Sequence, residues 1–283
     1  MCSPACTTTT PVALTSHTGD IFLTRTANQL GDLTLAAQNV SVTEDHLISD
    51  GSAWTVPGTT TLAAGANAIV LNANPESDFG TLKIDSAASA DIADANSVIL
   101  DTSQVAGTFT LEAGGAVTQT GPITANALHL AGDGSASLTH VANNVTNLAA
   151  GFSGGDFSYT DADDVNVADI GGTTGINIGA NDVTLRSVSG TITGLTNVDA
   201  NSSSLSVGTG AALTLPQLTI GGAQTYTATG GITLTAPITS TAGGAIVFNS
   251  PLTLATDLSI QSSNSPITFN GTIDGAMSQL IVN

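Results

Sequence analysis

Positive charge is almost missing from this chain: Arg25, Lys83 and Arg186 are its only fixed cations against 22 acidic residues, for a net charge of −19. Proteins that hold nucleic acid do so through Lys and Arg on phosphates, so this balance excludes nucleic acid as a partner. An anionic membrane surface would repel it for the same reason. Long apolar runs are absent too. The longest, such as residues 68–71, fall far short of the roughly 20 residues that span a bilayer as a helix, so no transmembrane segment is expected. Aromatics make up 4% of the chain, too few for the aromatic girdles of a transmembrane β-barrel, whose strands would also need about 10 alternating residues. Cysteine is limited to Cys2 and Cys6, whose three-residue separation is neither the redox nor the zinc spacing; a small local disulfide and a terminal segment without structural role both remain open. Residues 1–30 also lack the apolar core of about 7 to 15 residues that a signal peptide requires, so an export signal is absent or lies upstream.

What the chain has is a short apolar doublet, a Gly/Asn/Ser turn and another doublet, over and over. Near the C-terminus the period is plain: LTLPQLTIGGAQTYTATGG (213–231), ITLTAPITSTAGGAIVFNSP (232–251) and LTLATDLSIQSSNSPITFNG (252–271), segments of about 20 residues in the range of stacked repeats. In this alignment Leu213, Ile232 and Leu252 share a column, as do Leu215, Leu234 and Leu254. Leu218, Ile238 and Leu258 make a third column, and Tyr226, Phe248 and Phe269 an aromatic fourth. Strand side chains alternate between faces, so Leu-x-Leu sends both leucines inward and Thr214, Thr233 and Thr253 outward. Strands of three to five residues cannot bury an apolar face alone; they must stack on neighbours.

The expected fold is therefore all-β, a right-handed parallel β-helix of about 20 residues per coil, roughly 14 layers at about 4.8 Å each. Residues 1–20 read as an irregular start or partial layer and 21–283 as one β-helix, a fragment of a longer shaft. Doublets recur from Ile21 onward: Leu33/Leu35, Val40/Val42, Ile69/Leu71, Leu82/Ile84, Val98/Leu100, Phe109/Leu111, Leu128/Leu130, Phe157/Tyr159, Val165/Val167, Ile176/Ile178, Val183/Leu185 and Leu205/Val207. Glycine pairs such as Gly114-Gly115 and Gly243-Gly244 suit corners that need positive φ. The best helix candidate, residues 86–94 (SAASADIAD), fits a tight corner equally well. Spacing drifts in the middle of the chain, so some corners should carry insertions. With 41% apolar content arranged as regular doublets, disorder is not the reading.

The strings GAVTQTGPITANALHL (115–130), NNVTNLAAGFSGGDFSYTDADDVNVADIGGTTGINIG (143–179), ITFNGTIDGA (267–276) and TTTLAAGANAIVLNANPESDFGTLKI (59–84) resemble the repeat region of filamentous-haemagglutinin-like bacterial exoproteins. The resemblance covers about residues 55–283. It implies the shaft of a very large secreted or surface-tethered protein, exported through a partner transporter in the outer membrane by two-partner secretion, with adhesive and contact roles. The family's N-terminal secretion domain is not recognisable; Asn74-Pro75 occurs alone in what reads as a corner.

Catalysis finds little support. A polysaccharide lyase needs clustered cations, and residues 25, 83 and 186 cannot supply them. Asp161, Asp163 and Asp164 in TDADD are the one grouping that suits a glycosidase carboxylate pair or calcium, but the stretch fails the EF-hand pattern and reads as a solvated corner. His129, between Leu128 and Leu130, should point out to solvent, and His17, His46 and His140 are scattered. No catalytic, cofactor-binding or metal residues are expected. The functional expectation is a structural or adhesive shaft segment whose outward Thr/Ser/Asn rows contact glycans or sister rods. A β-helical carbohydrate-active enzyme is the alternative, and an ice-binding solenoid a lesser one, since it would need Thr-x-Thr on nearly every layer.

Overall fold

The computed structural model describes residues 7–199, 201–275 and 278–283; Cys2 and Cys6, and any disulfide between them, lie outside the described residues. The chain divides into two compact units, 1–135 and 136–283. Each is a β-solenoid of parallel stacked coils with roughly 20 residues per turn. The apolar doublets are its inner surface: both members of every doublet from Leu33/Leu35 to Leu205/Val207 are buried.

In the first unit, parallel ladders stack each turn on the last. Val12–Thr15 lies beside Leu33–Ala36, so a strand forms inside the stretch read as irregular. Ile21–Leu23 pairs with Val40–Thr43, which pairs with Thr55–Ala63. Ala68–Leu71 pairs with Ser89–Asp94, which pairs in turn with the second half of Val98–Ala113. The segment 86–94 is thus strand, not helix, shared between Asp78–Ala87 and Ser89–Asp94. Strands here also exceed the expected three to five residues. Val98–Ala113 runs 16 residues because its ladder continues around a corner, with register shifts at Leu100/Ser103 and Val105/Thr108 where the backbone bends. Trp54, fully buried, donates its indole N–H to Leu33 O at 2.9 Å and meets Phe79 edge-on, ring centroids 6.1 Å apart.

In the second unit, three strand lines per turn are clearest toward the C-terminus. Leu213–Leu215, Ile232–Leu234 and Leu252–Leu254 form one line, and the columns Leu213/Ile232/Leu252 and Leu215/Leu234/Leu254 stand as expected. Tyr226, Phe248 and Phe269 stack, with centroids 5.5 and 5.4 Å apart. The third column differs from the expectation. Leu218 and Ile238 are partners, but Ile238 sits beside Ile260, and Leu258 pairs with Leu280. Five residues, 255–259, lie between Leu254 and Ile260 where three, 235–237, lie between Leu234 and Ile238, and because strand side chains have a period of two, this two-residue insertion leaves Leu258 and Ile260 both facing inward.

The expected drift in spacing has one main source. Asn166 reaches Asn147, 19 residues back, whereas Thr193 reaches Asn166 across 27. The excess is an excursion at residues 168–175, where Ile170 and Thr173 exchange backbone hydrogen bonds of 3.1 and 2.9 Å around Gly171-Gly172, both at positive φ. It is an antiparallel hairpin one turn long, set into a parallel stack.

Corner glycines have two different causes. Gly243 takes φ of 87°, which a side chain rarely adopts. Gly244 does not; there a Cβ would collide with the backbone of Gly222 and Ala223 in the coil below, so close stacking rather than dihedral freedom requires glycine.

Candidate functional site

Several of the polar side chains that point inward sit at one kind of corner, two residues past a large apolar side chain. Val42-x-Glu44, Ile92-x-Asp94 and Tyr159-x-Asp161 share this spacing, and alternation then forces the acid to the same inner side as the apolar residue. All three acids are buried. Asp94 accepts from Phe79 N–H at 2.7 Å and from Asn96 N–H at 2.9 Å. Asp161 accepts from Tyr159 Oη–H at 2.6 Å, Val145 N–H at 2.9 Å and Asp163 N–H at 3.0 Å. Glu44 accepts from Leu30 N–H at 3.1 Å. Each carboxylate ties its corner to backbone about 15 residues earlier, which for Asp94 and Asp161 is the start of a strand, closing the turn from inside.

Burial raises the pKa of all three acids above the ordinary range; the backbone N–H donors oppose this only in part, as does the Tyr159 hydroxyl at Asp161. Tyr159 in turn is pushed well above its usual value by burial and by Asp161.

In the second unit the corner position is occupied on successive turns by Asp161, Ser187, Thr209 and Ala228, which lie in register. Ser187 Oγ donates to Asp163 O at 2.6 Å and accepts from Gly190 N–H at 2.9 Å. Thr209 Oγ1 donates to Gly190 O at 2.8 Å and accepts from Ala211 N–H at 2.9 Å. The column therefore supplies hydrogen-bond partners to the turn backbone beside it.

TDADD is thus a solvated corner only in part, which corrects the sequence reading. Asp161 is buried, whereas Asp163 and Asp164 are exposed. Asp163 accepts from Asn144 Nδ2 at 3.1 Å, and Asp164 from the N–H and hydroxyl of Thr191 at 2.7 and 2.9 Å, which lower its pKa. Among the described residues no group of three or more His, Cys, Asp or Glu side chains is arranged to hold a metal ion.

His129 is a second correction. It lies on the outer side, in register with Thr110, yet is 7% exposed rather than solvent-facing. Burial lowers its pKa, against the opposing carboxylates of Asp91 and Glu112. In the first unit a hollow of about 180 Å³ opens beside the Asp94 corner, lined among others by Pro75, Glu112, Gly114 and Asp133. Asp94 spends its two oxygens on backbone N–H groups, so it brings no free carboxylate to this hollow.

The outer faces carry ladders of amides and hydroxyls. Asn166 donates to Asn147 at 3.1 Å and accepts from Thr193 at 3.0 Å; Asn270 donates to Asn249 at 2.8 Å, and Asn249 to Thr227 at 3.2 Å. The Thr-x-Thr pairs do not stack on each other: Thr110 lies between Asp91 and His129, and Thr225 between Ser206 and Val247. Among the described residues no helix is long and apolar enough to cross a membrane.

Residues 18–84 and 87–151 are each similar to a family described as repeats of unknown function (DUF5649). Each matched segment spans about three coils at roughly 20 residues per turn. No curated protein and no solved structure matches the chain.

Proposed function

We propose that this chain is a structural and adhesive shaft segment of a large secreted or surface-attached bacterial exoprotein of the two-partner type. Its work is presentation: stacked coils carry binding surfaces away from the cell, and an outer-membrane transporter serves export. The observation that carries the reading is the division of labour among side chains. Inward polar groups such as Asp161, Ser187 and Thr209 are consumed by corner backbone, while outward groups such as Asn147, Asn166 and Thr193 form hydrogen-bonded ladders on the surface. Chemistry of that kind supports a scaffold with repeated polar contacts.

Antibody raised against the chain should label intact cells of the source organism without permeabilisation. Labelling that appears only after the envelope is opened would defeat the reading. Release of reducing ends from a panel of polysaccharides by the purified chain would instead favour a carbohydrate-active enzyme.

A further inference from the structure

Phe22 stands apart from the other aromatic side chains. Trp54, Tyr159, Tyr226 and five of the other phenylalanines are buried, and Phe269 is half-buried, whereas Phe22 is 67% exposed. It is the middle residue of Ile21–Leu23, with Ile21 turned inward, so its ring stands off the sheet. Its outward column continues through Ser41, Thr61 and Lys83 on successive turns. A second polar row runs alongside: Asn39 donates to Asp20 at 2.9 Å and accepts from Thr59 N–H at 2.7 Å. The ammonium of Lys83 is held by Asp85 at 2.7 Å.

We propose that this face binds a neutral polysaccharide, with one pyranose ring stacked on Phe22 and its neighbours hydrogen-bonded along the hydroxyl and amide rows. The inference rests on the attachment reading and gives it a site and a ligand class. An exposed aromatic ring offers its negative π face to the C–H groups on the apolar side of a sugar ring. Asp20, Ser41 and Thr61 then present donors and acceptors that match sugar hydroxyls at the strand spacing of about 4.8 Å. Neutrality of the ligand follows from charge. At −19, with Lys83 paired to Asp85 and Arg25 the one other fixed cation in residues 1–135, the chain repels sulfated and uronic acid polymers.

Affinity electrophoresis of the full chain in gels containing galactomannan, hydroxyethyl cellulose, mixed-linkage β-glucan or heparin tests this. At least one neutral polymer should retard the protein. Phe22→Ala should weaken that retardation at least tenfold, and Phe22→Trp should keep it; Ile99→Ala, at an exposed apolar residue elsewhere, should leave it unchanged. Phe22 is exposed, so the variants should keep the circular dichroism of the parent. Failure of every neutral polymer, retardation by heparin alone, or equal binding by Phe22→Ala would each overturn the proposal. Surface labelling of intact cells is a separate readout, so the attachment reading can survive the loss of this site.

Discussion

Thr60 faces inward between Val40 and Leu82, fully buried, and its hydroxyl finds no hydrogen-bond partner. The neighbouring threonines, Thr59 and Thr61, take the outer positions, so alternation alone places an alcohol in the core. Thr60→Val replaces the hydroxyl with a methyl of the same shape and should stabilise the protein by about 1 kcal/mol in urea unfolding, because a stranded polar group costs about 1 to 3 kcal/mol. A lower midpoint for the variant would show that the hydroxyl is satisfied. Leu234 is the opposite case: it is fully buried between Leu215 and Leu254, and Leu234→Asp should cost about 3 to 5 kcal/mol by stranding a charge and leaving a void. Neutral unfolding behaviour would contradict the column. At Asp161 three donors converge on two oxygens, and an amide there offers one acceptor and turns a second donor on its neighbours. Asp161→Asn should therefore lower stability at neutral pH by about 1 to 3 kcal/mol, read as a shift in the same urea midpoint; an unchanged midpoint would deny Asp161 its role in closing the corner.

At the scale of elements, the excursion at residues 168–175 separates two pieces of a ladder that would otherwise be continuous. Leu148 lies beside Val167 and Ala150 beside Ile176; Ala168 N–H donates to Leu148 O, and Ala150 N–H donates to Gly175 O. Deleting residues 168–174 would join Val167 to Gly175, keep a glycine where φ is 54° and a Cβ would collide with Asn197, and restore a turn of about 20 residues, the usual length of a stacked repeat. The deletion should leave the β circular dichroism intact and change stability by less than about 2 kcal/mol, since surface excursions add little loop entropy. Loss of cooperative unfolding would show that the hairpin holds the stack together. These elements also show where sequence was informative. A Leu-x-Leu doublet states its own facing, so the columns through Leu215, Leu234 and Leu254 were legible. Corner length is not, because the path from one column to the next can gain two residues, as at 255–259, without reversing any side chain, so the sequence alone puts Leu258 rather than Ile260 beside Ile238. The fates of Asp161 and His129 were also hidden. Alternation predicts which side a residue faces, but whether that side is wet depends on neighbours one turn away, such as Val145 and Thr110. For Asp161 a signal existed in the repeated apolar-x-acid spacing shared with Glu44 and Asp94. The polar face around Phe22 likewise emerges only when residues 22, 41, 61 and 83 are placed in register.

At the scale of the whole molecule, charge governs the response to pH. The corner acids Glu44, Asp94 and Asp161 have folded pKa values above their ordinary values of 4.5, 3.8 and 3.8. Protonation therefore favours the folded chain: the stability each contributes is fully present below its unfolded value and is lost as pH rises through its folded value. Asp164 acts in the opposite sense, since its lowered pKa makes its contribution vanish only as pH falls below 3.8. The excess of 22 acidic over three basic residues adds general repulsion that eases as carboxylates protonate. The urea midpoint should consequently rise as pH is lowered from 7 toward the values just above 4.5, and should turn down only at stronger acidity. Salt separates the two sources. Raising ionic strength at pH 7 should recover the part due to surface repulsion, because exposed charges are screened within about 10 Å at 0.1 M, whereas the desolvation of Glu44, Asp94 and Asp161 is not screened. A pH dependence that persists in high salt and flattens in the Asp161→Asn variant would assign it to the corner acids. A midpoint that falls steadily from pH 7 to 5 would mean that these carboxylates are better satisfied as anions than their burial allows.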